Sequence, residues 1–292
     1  MDQRDISNLK PGDHHYKAFI GPPEEYDLVA AMVFNLLTTL GLREDHKVLD
    51  VGCGSLRNGR LLIPYLARGN YWGIEPYEWL VRDAISNEIG QDQIDLKQPN
   101  FYFTDSLDVL EEKIHFDFGF AQSIFSHASH KLIRKWLKGV KNHMASDGLF
   151  LATYLRHAED YRGLRGDWIY PDCVYYKDET MREMAAEFNL KFRPIAWVHP
   201  RQIWGAFYFE EFDDTFLDAR SLNWNTYIQN NFDVRFPVES DNVNQEDLLQ
   251  LNQQLEAHRL QLETIYNSRG WKFLEKIKGM YFPLIKKIKG EE

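Results

Sequence analysis

Cysteine is scarce in this 292-residue chain: only Cys53 and Cys173 are present. Two thiols exclude a disulfide framework, a zinc ribbon and a thiolate cluster. Long apolar runs are missing too. No stretch approaches the ~18 residues needed to cross a bilayer. The opening MDQRDISNLKPGDHHY has no apolar core and does not read as a secretory signal. Positive charge is in deficit, with 34 Lys and Arg against 44 Asp and Glu and a formal net charge of −10. Tight duplex nucleic-acid binding runs on phosphate neutralisation, so no nucleic-acid partner is expected. No internal repeat is evident. These deficits predict a cytoplasmic protein of a reducing compartment. What is present, 44% hydrophobic and 27% charged residues, is the balance of a globular chain.

Pro22-Pro23-Glu24-Glu25 followed by YDLVAAMVFNLLTTLGL reads as a helix, with proline in the first turn and carboxylates at the positive end of the dipole. HKVLDVG (46–52) is a buried strand entering a glycine turn. Helix patterns follow in SLRNGRLLIPYLARG, YEWLVRDAISNEIG and HKLIRKWLKGVKNHM. Strand patterns occur in NYWGIEP, NFYFTD, FDFGFAQSIF and SDGLFLATYL. Such alternation predicts right-handed βαβ units and a parallel sheet covered by helices on both faces. After a helix in KDETMREMAAEFNL, two strands in KFRPIAWVHP and RQIWGAFYFEEF are joined by a tight His199-Pro200 turn. Directly joined strands pair antiparallel, an informative end for a parallel sheet.

LDVGCGSLRNG (49–59) lies between a strand and a helix. Gly52 and Gly54 let the backbone turn sharply and approach a ligand. Glu75 ends the next strand, where a carboxylate can accept both hydroxyls of a ribose. A P-loop is excluded because no Gly-Lys-Ser/Thr follows. A nicotinamide site wants glycine at position 57, where this chain has Arg57. Asp50 would repel a pyrophosphate and suits a ligand bearing a cationic amino group.

The ordered set VLDVGCGSLRNG, YWGIEP, FYFTDS, FDFGFAQSIF and ASDGLFLATYL resembles the class I S-adenosylmethionine-dependent methyltransferases, motif by motif over 47–155. More weakly, it resembles bacterial members tied to glycan or natural-product assembly. The resemblance implies an α/β fold: a Rossmann-like seven-stranded sheet with an antiparallel last strand and helices on both faces. It implies a methyltransferase domain over 1–212. Residues 213–243, rich in Asp and Asn and without a clear period, read as a linker or loose wrap, and 244–292 as a C-terminal helical extension made of a short heptad helix and a basic amphipathic tail. S-adenosylmethionine would be the cofactor. Asp50, Gly52 and Gly54 would hold its methionine part and Glu75 its ribose. Asp105 or Ser106 would lie near the adenine amino group, and Gln122 near the sulfonium. Arg57 has no family role to carry over; on physical grounds it could pair with the methionine carboxylate.

The expected reaction is methyl transfer to an oxygen of a sugar, glycan intermediate or small metabolite. The Asn/Asp-Pro-Pro-aromatic motif of many nucleic-acid base methylases is replaced by Ala121-Gln122-Ser123-Ile124-Phe125. His127, in SIFSHASH after the fourth strand, is the candidate general base, with a capping or core histidine as the plain alternative. His127 and His130 lack a carboxylate partner for a metal, so none is expected. His14, His15, Tyr16 and Phe19 would fold over the cofactor as a lid or pack as an arm. In the insertion 156–176, Trp168, Tyr170, Tyr175 and Tyr176 would suit a flat acceptor. A non-catalytic subunit that keeps the fold for glycan assembly is the second reading.

Leu248, Leu255 and Leu262 recur at seven-residue spacing, making 244–268 a candidate for self-association. Residues 269–292 carry seven Lys or Arg against three Glu, a net +4 on a remainder of −14, interleaved with nine large apolar residues. Such a segment can lie on an anionic membrane or pack on protein. Peripheral attachment to the inner membrane face is therefore expected beside the cytoplasmic location.

Overall fold

The apolar run that reads as the first strand forms β1 (Val48–Val51), buried at every position. The computed structural model describes residues 6 and 8–218. Before β1, a 3₁₀ turn at Pro23–Glu25 leads into α1 (Tyr26–Thr39). The chain continues through α2 (Gly59–Tyr65), β2 (Tyr71–Ile74), α3 (Glu78–Ala84), α4 (Gln91–Lys97), β3 (Asn100–Tyr102) and β4 (Phe116–Ala121). Then come α5 (His130–His143), β5 (Met144–Arg156), β6 (Tyr175–Tyr176), α6 (Asp178–Ala186), β7 (Lys191–Ile195) and β8 (Ile203–Tyr208).

The strand order is β3-β2-β1-β4-β5-β8-β7, with β6 added at the end of β5. β1 to β5 pair parallel. β8 enters antiparallel between β5 and β7. This is the expected Rossmann-like sheet with an inserted antiparallel last strand. Because strand side chains alternate, β1 feeds two cores. Leu49 and Val51 join the layer holding Phe125, Trp136 and Phe150, whereas Val48 joins Val33, Leu36 and Leu62 on the other face.

Several boundaries differ from the sequence reading. The helix expected over 55–69 starts only at Gly59, because Leu56 takes a left-handed backbone (φ 53°) that no α-helix admits. The helix over 77–90 passes into a π-helical segment, Ile85–Ile89, and α4 follows it. α4 buries no residue, so it left no apolar stripe to read. The β7–β8 connection is no tight turn. It spans 196–202, and His199 Nδ1 accepts from the backbone N–H of Arg201 and Gln202 at 3.2 and 3.0 Å. α5 conforms closely: Ser129 caps it by accepting from Leu132 N–H, and Trp136 and Val140 face the core.

The expected linker over 213–243 is described only at its start, where Asp214–Asp218 form a 3₁₀ turn with Leu217 buried. The heptad 244–268 and the basic segment 269–292 lie outside the described residues. Among the described residues no helix is long and apolar enough to cross a membrane.

Candidate functional site

Strand order reverses between β1 and β4, and the crevice at such a switch point is where open α/β sheets bind ligands. Here it is a cavity of about 410 Å³. Its floor is the glycine loop after β1 and the segment Gln122–Ile124 after β4, and Glu75 stands at the end of β2.

Gly52 and Gly54 have φ of +71° and +53°, a region that favours glycine. A Cβ on Gly52 would lie 2.2 Å from Ile124 Cδ1, and one on Gly54 2.9 Å from Ile20 Cγ2. The loop therefore tolerates no side chain at either place. A loop amide and one following β2 hold the acidic residue: Gly54 N–H donates to Glu75 Oε2 and Tyr77 N–H to Glu75 Oε1, both at 2.9 Å. Burial pushes the Glu75 carboxyl up to about 7, while these two donors pull it the other way. Each oxygen accepts one backbone bond and keeps further capacity on the cavity side.

Arg57 and Gln122 come together. Both are buried on the cavity wall, and Arg57 Nη2 donates to Gln122 Oε1. Arg57 Nε has no hydrogen-bond partner, and no carboxylate among the described residues lies within ion-pair distance of the guanidinium. Burial lowers Arg57 to about 10, so it stays charged at neutral pH. His199, which the sequence marked only as a turn, sits beside this pair, its Nε2 3.3 Å from Gln122 Nε2. Burial and the nearby Arg57 and Arg201 push His199 down to about 3, so it is neutral. Ser123 is a second missed residue. It lines the cavity with φ 58°, and its N–H donates to Thr153 Oγ1 at 2.7 Å.

Other expected residues stand off the wall. Asp50 shares the face of Val48, points beneath the sheet and accepts from Tyr71 O–H at 2.8 Å. Burial lifts it to about 7 against that bond and the Arg57 charge. Asp105 is exposed and paired with Lys135 at 3.1 Å. Ser106 O–H donates to Asp108 at 2.9 Å. The wall on that side carries Tyr77 and Leu80 instead.

His127 is buried just behind the wall. Its ring meets Tyr170 at 4.9 Å and Trp168 at 5.7 Å, both of which line the cavity. Nδ1 is 2.7 Å from the Asp172 carbonyl, so Nδ1 carries the proton and Nε2 keeps its lone pair. Burial lowers the His127 pKa, so the ring is neutral at pH 7. Tyr175 and Tyr176 are directed elsewhere: Tyr176 donates to the Ala128 carbonyl, and Tyr175 packs against His157 and Tyr161.

The roof comes from the N-terminal arm. Pro11–Asp13, Phe19 and Ile20 line the cavity, and Phe19 packs against Tyr77, Trp79 and Tyr170. His14 stacks on Trp79 at 4.5 Å. The arm is clasped by Glu88, which accepts from Tyr16 O–H at 2.7 Å and pairs with Lys17 at 2.8 Å.

Residues 49–150, from β1 into β5, match a family model described as a methyltransferase domain. No curated protein matches the chain. Among solved structures, the chain is similar to a magnesium protoporphyrin IX methyltransferase from Synechocystis PCC 6803, at 13% identity over 64% of this chain and 81% of that one, with a TM-score of 0.47. It is also similar to a sugar N-methyltransferase from Streptoalloteichus, at 14% identity over 66% and 91% of the two chains, with a TM-score of 0.48. Likenesses so remote say nothing of this chain's substrate. The family match lies on the same β1–β5 segment that carries the ordered motifs and the glycine-loop cavity, so this segment of the chain is similar to a methyltransferase domain.

Proposed function

We propose that the chain transfers a methyl group from S-adenosylmethionine to a hydroxyl oxygen of a small-molecule or glycan acceptor. The observation that carries the cofactor half is the pairing of a side-chain-intolerant glycine loop with the anchored Glu75 across one cavity. Glu75 would accept the ribose hydroxyls. Gly52 and Gly54 would admit the methionine part. Arg57, a buried cation with an orphaned Nε, would take the methionine carboxylate. Asp50 would favour the cationic amino group through its charge from beneath the loop, and Gln122 would border the sulfonium. Bound cofactor supplies an electrophilic methyl on sulfur.

His127 is the proposed base. The hydroxyl proton would pass to Nε2 as the new oxygen–carbon bond forms and the sulfur–carbon bond breaks. Donation from Nδ1 to the Asp172 carbonyl selects the tautomer this requires. The insertion's own contribution to the lining, Trp168, Tyr170 and Pro171, is uncharged, which supports a neutral acceptor. An alternative role as a non-catalytic subunit would leave the cavity without a ligand.

Calorimetry with the demethylated product, S-adenosylhomocysteine, tests the reading. Wild type should bind it, and Glu75→Ala should bind about tenfold or more weakly, since charge-assisted hydrogen bonds contribute roughly 1.5–3 kcal/mol. A wild-type protein that ignores the compound would sink the methyl-transfer reading in favour of the non-catalytic one. Unchanged affinity in the variant would remove Glu75 from the ribose.

A further inference from the structure

The glycine loop, Glu75 and Arg57 form the part of the cavity lining assigned above to the cofactor. The insertion after β5 adds Trp168, Tyr170 and Pro171 to the same lining, with Tyr170 close enough to Arg57 to feel its charge. Trp168 lines the cavity yet remains 40% exposed, as does Tyr77 at 46%. An indole with a free face in water forgoes apolar burial of about 25 cal/mol per Å².

The backbone around it is nonetheless held firmly. Ser129 N–H donates to the Asp167 carbonyl at 2.8 Å, and Ile169 N–H to the His127 carbonyl at 3.0 Å. The Asp167 carboxylate accepts from Ser129 Oγ at 2.9 Å and Lys131 Nζ at 2.7 Å. These bonds tie the insertion to the start of α5. Trp168 is set edge-on to His127 and roughly parallel to Tyr170, with ring planes 27° apart. A rigid, part-exposed aromatic ring at a cavity mouth is preorganised to receive a ligand face, because little side-chain freedom remains to be lost on binding.

Charge narrows the ligand. The charged residues lining the cavity are Asp13, Arg57 and Glu75, and the insertion contributes none. Behind Trp168 and Tyr170 lies neutral His127, whose Nε2 has no hydrogen-bond partner among the described residues. We infer that Trp168 is the stacking platform for the methyl acceptor, an uncharged hydroxylated ring whose apolar face lies on the indole while its hydroxyl turns toward His127. The inference rests on the proposed methyl transfer and adds the chemical class of the acceptor. A pyranose, through its C–H face, and a phenolic ring, through its π face, share this chemistry.

Saturation-transfer NMR on the protein loaded with S-adenosylhomocysteine separates the two sources, with methyl β-glucopyranoside and catechol as probes. Transfer to the ring protons of at least one probe is expected. Trp168→Ala should reduce it roughly three- to tenfold, the size of an aromatic stacking contribution, and Trp168→Phe should retain most of it. Affinity for S-adenosylhomocysteine should change by less than about twofold in both variants, as Trp168 is not among the residues assigned to the cofactor. Signal from the glucoside alone identifies a sugar acceptor, and from catechol alone an aromatic one. Silence from both probes on the loaded wild type, or equal transfer in wild type and Trp168→Ala, overturns the assignment. So does loss of S-adenosylhomocysteine by Trp168→Ala, which would make Trp168 part of the cofactor site. Failure of wild type itself to bind S-adenosylhomocysteine is a separate result and removes the methyl-transfer reading first.

Discussion

Glu75 and His127 show how burial sets chemistry at single residues. Glu75 has an ordinary value of 4.5 that burial raises to about 7. The folded protein therefore binds this proton more tightly than the unfolded chain. The stabilising contribution is complete below about pH 4.5 and is lost as pH rises through about 7. Glu75→Gln imitates the protonated form, so wild type should lose melting temperature relative to that variant between pH 5 and 8. Ligand binding should run the other way, because ribose hydroxyls donate to the ionised carboxylate. Calorimetry at pH 6 and 8 should show tighter S-adenosylhomocysteine binding at pH 8, with the difference reduced in Glu75→Gln to the part due to Asp50, which burial also lifts to about 7. A pH-independent affinity would mean that Glu75 is already ionised at pH 6 or does not meet the ribose. For His127, burial lowers the pKa, so the base is already neutral at pH 7. His127→Ala should cut turnover by roughly 10²–10⁴-fold and leave S-adenosylhomocysteine affinity unchanged. A full-rate variant would return His127 to packing beneath Trp168 and Tyr170.

The element that most shapes access is the N-terminal arm. Its grip depends on Glu88, which lies on the π-helical segment after α3 and away from the cavity. Against burial, which pushes its carboxylate up, Lys17 and Tyr16 hold it below its ordinary value, and Arg60 adds to the charge at 3.6 Å. Glu88→Ala removes the clasp without touching the cavity wall. Stopped-flow displacement should then show S-adenosylhomocysteine leaving about tenfold faster, in line with the loss of one charge-assisted hydrogen bond. An unchanged rate would show that the arm's aromatic contacts hold the roof by themselves. The lid expected at His14, His15, Tyr16 and Phe19 thus divides by role. Phe19 faces the cavity, His14 stacks on Trp79, and Tyr16 secures the arm from outside.

For the whole molecule, charge distribution makes the next prediction. The segment 269–292 carries +4 on a remainder of −14. An acidic body is repelled by an anionic leaflet, so membrane contact would have to be led by this segment. Each basic residue near such a surface contributes about 1 kcal/mol. Full-length protein should co-sediment with vesicles containing phosphatidylserine at low salt and be released at high salt, because exposed charges are screened. Truncation after Ser268 should abolish sedimentation and preserve S-adenosylhomocysteine binding. If the full-length protein stays in the supernatant at low salt, the segment is a packing or self-association element. Truncation should then shift elution volume or melting temperature.

How much was legible follows from the range of the interactions involved. The strand–helix alternation, the glycine loop, Glu75 and the antiparallel closing pair could all be read from the sequence, because periodicity and turn chemistry act over a few residues. Gln122 was placed by its position just after β4. Whether each side chain reaches the cavity was decided only by tertiary structure. The alternation of β1 sends Asp50 under the sheet to Tyr71, from another strand. Lys135, on α5, draws Asp105 off the wall. Long-range packing brings Arg57 to Gln122, with no carboxylate among the described residues within ion-pair distance. Backbone bonds tie the segment of Trp168 to that of His127, some forty residues apart. Local pattern determined the sheet and its ligand edge; long-range packing, which no window of sequence contains, decided which residues line it.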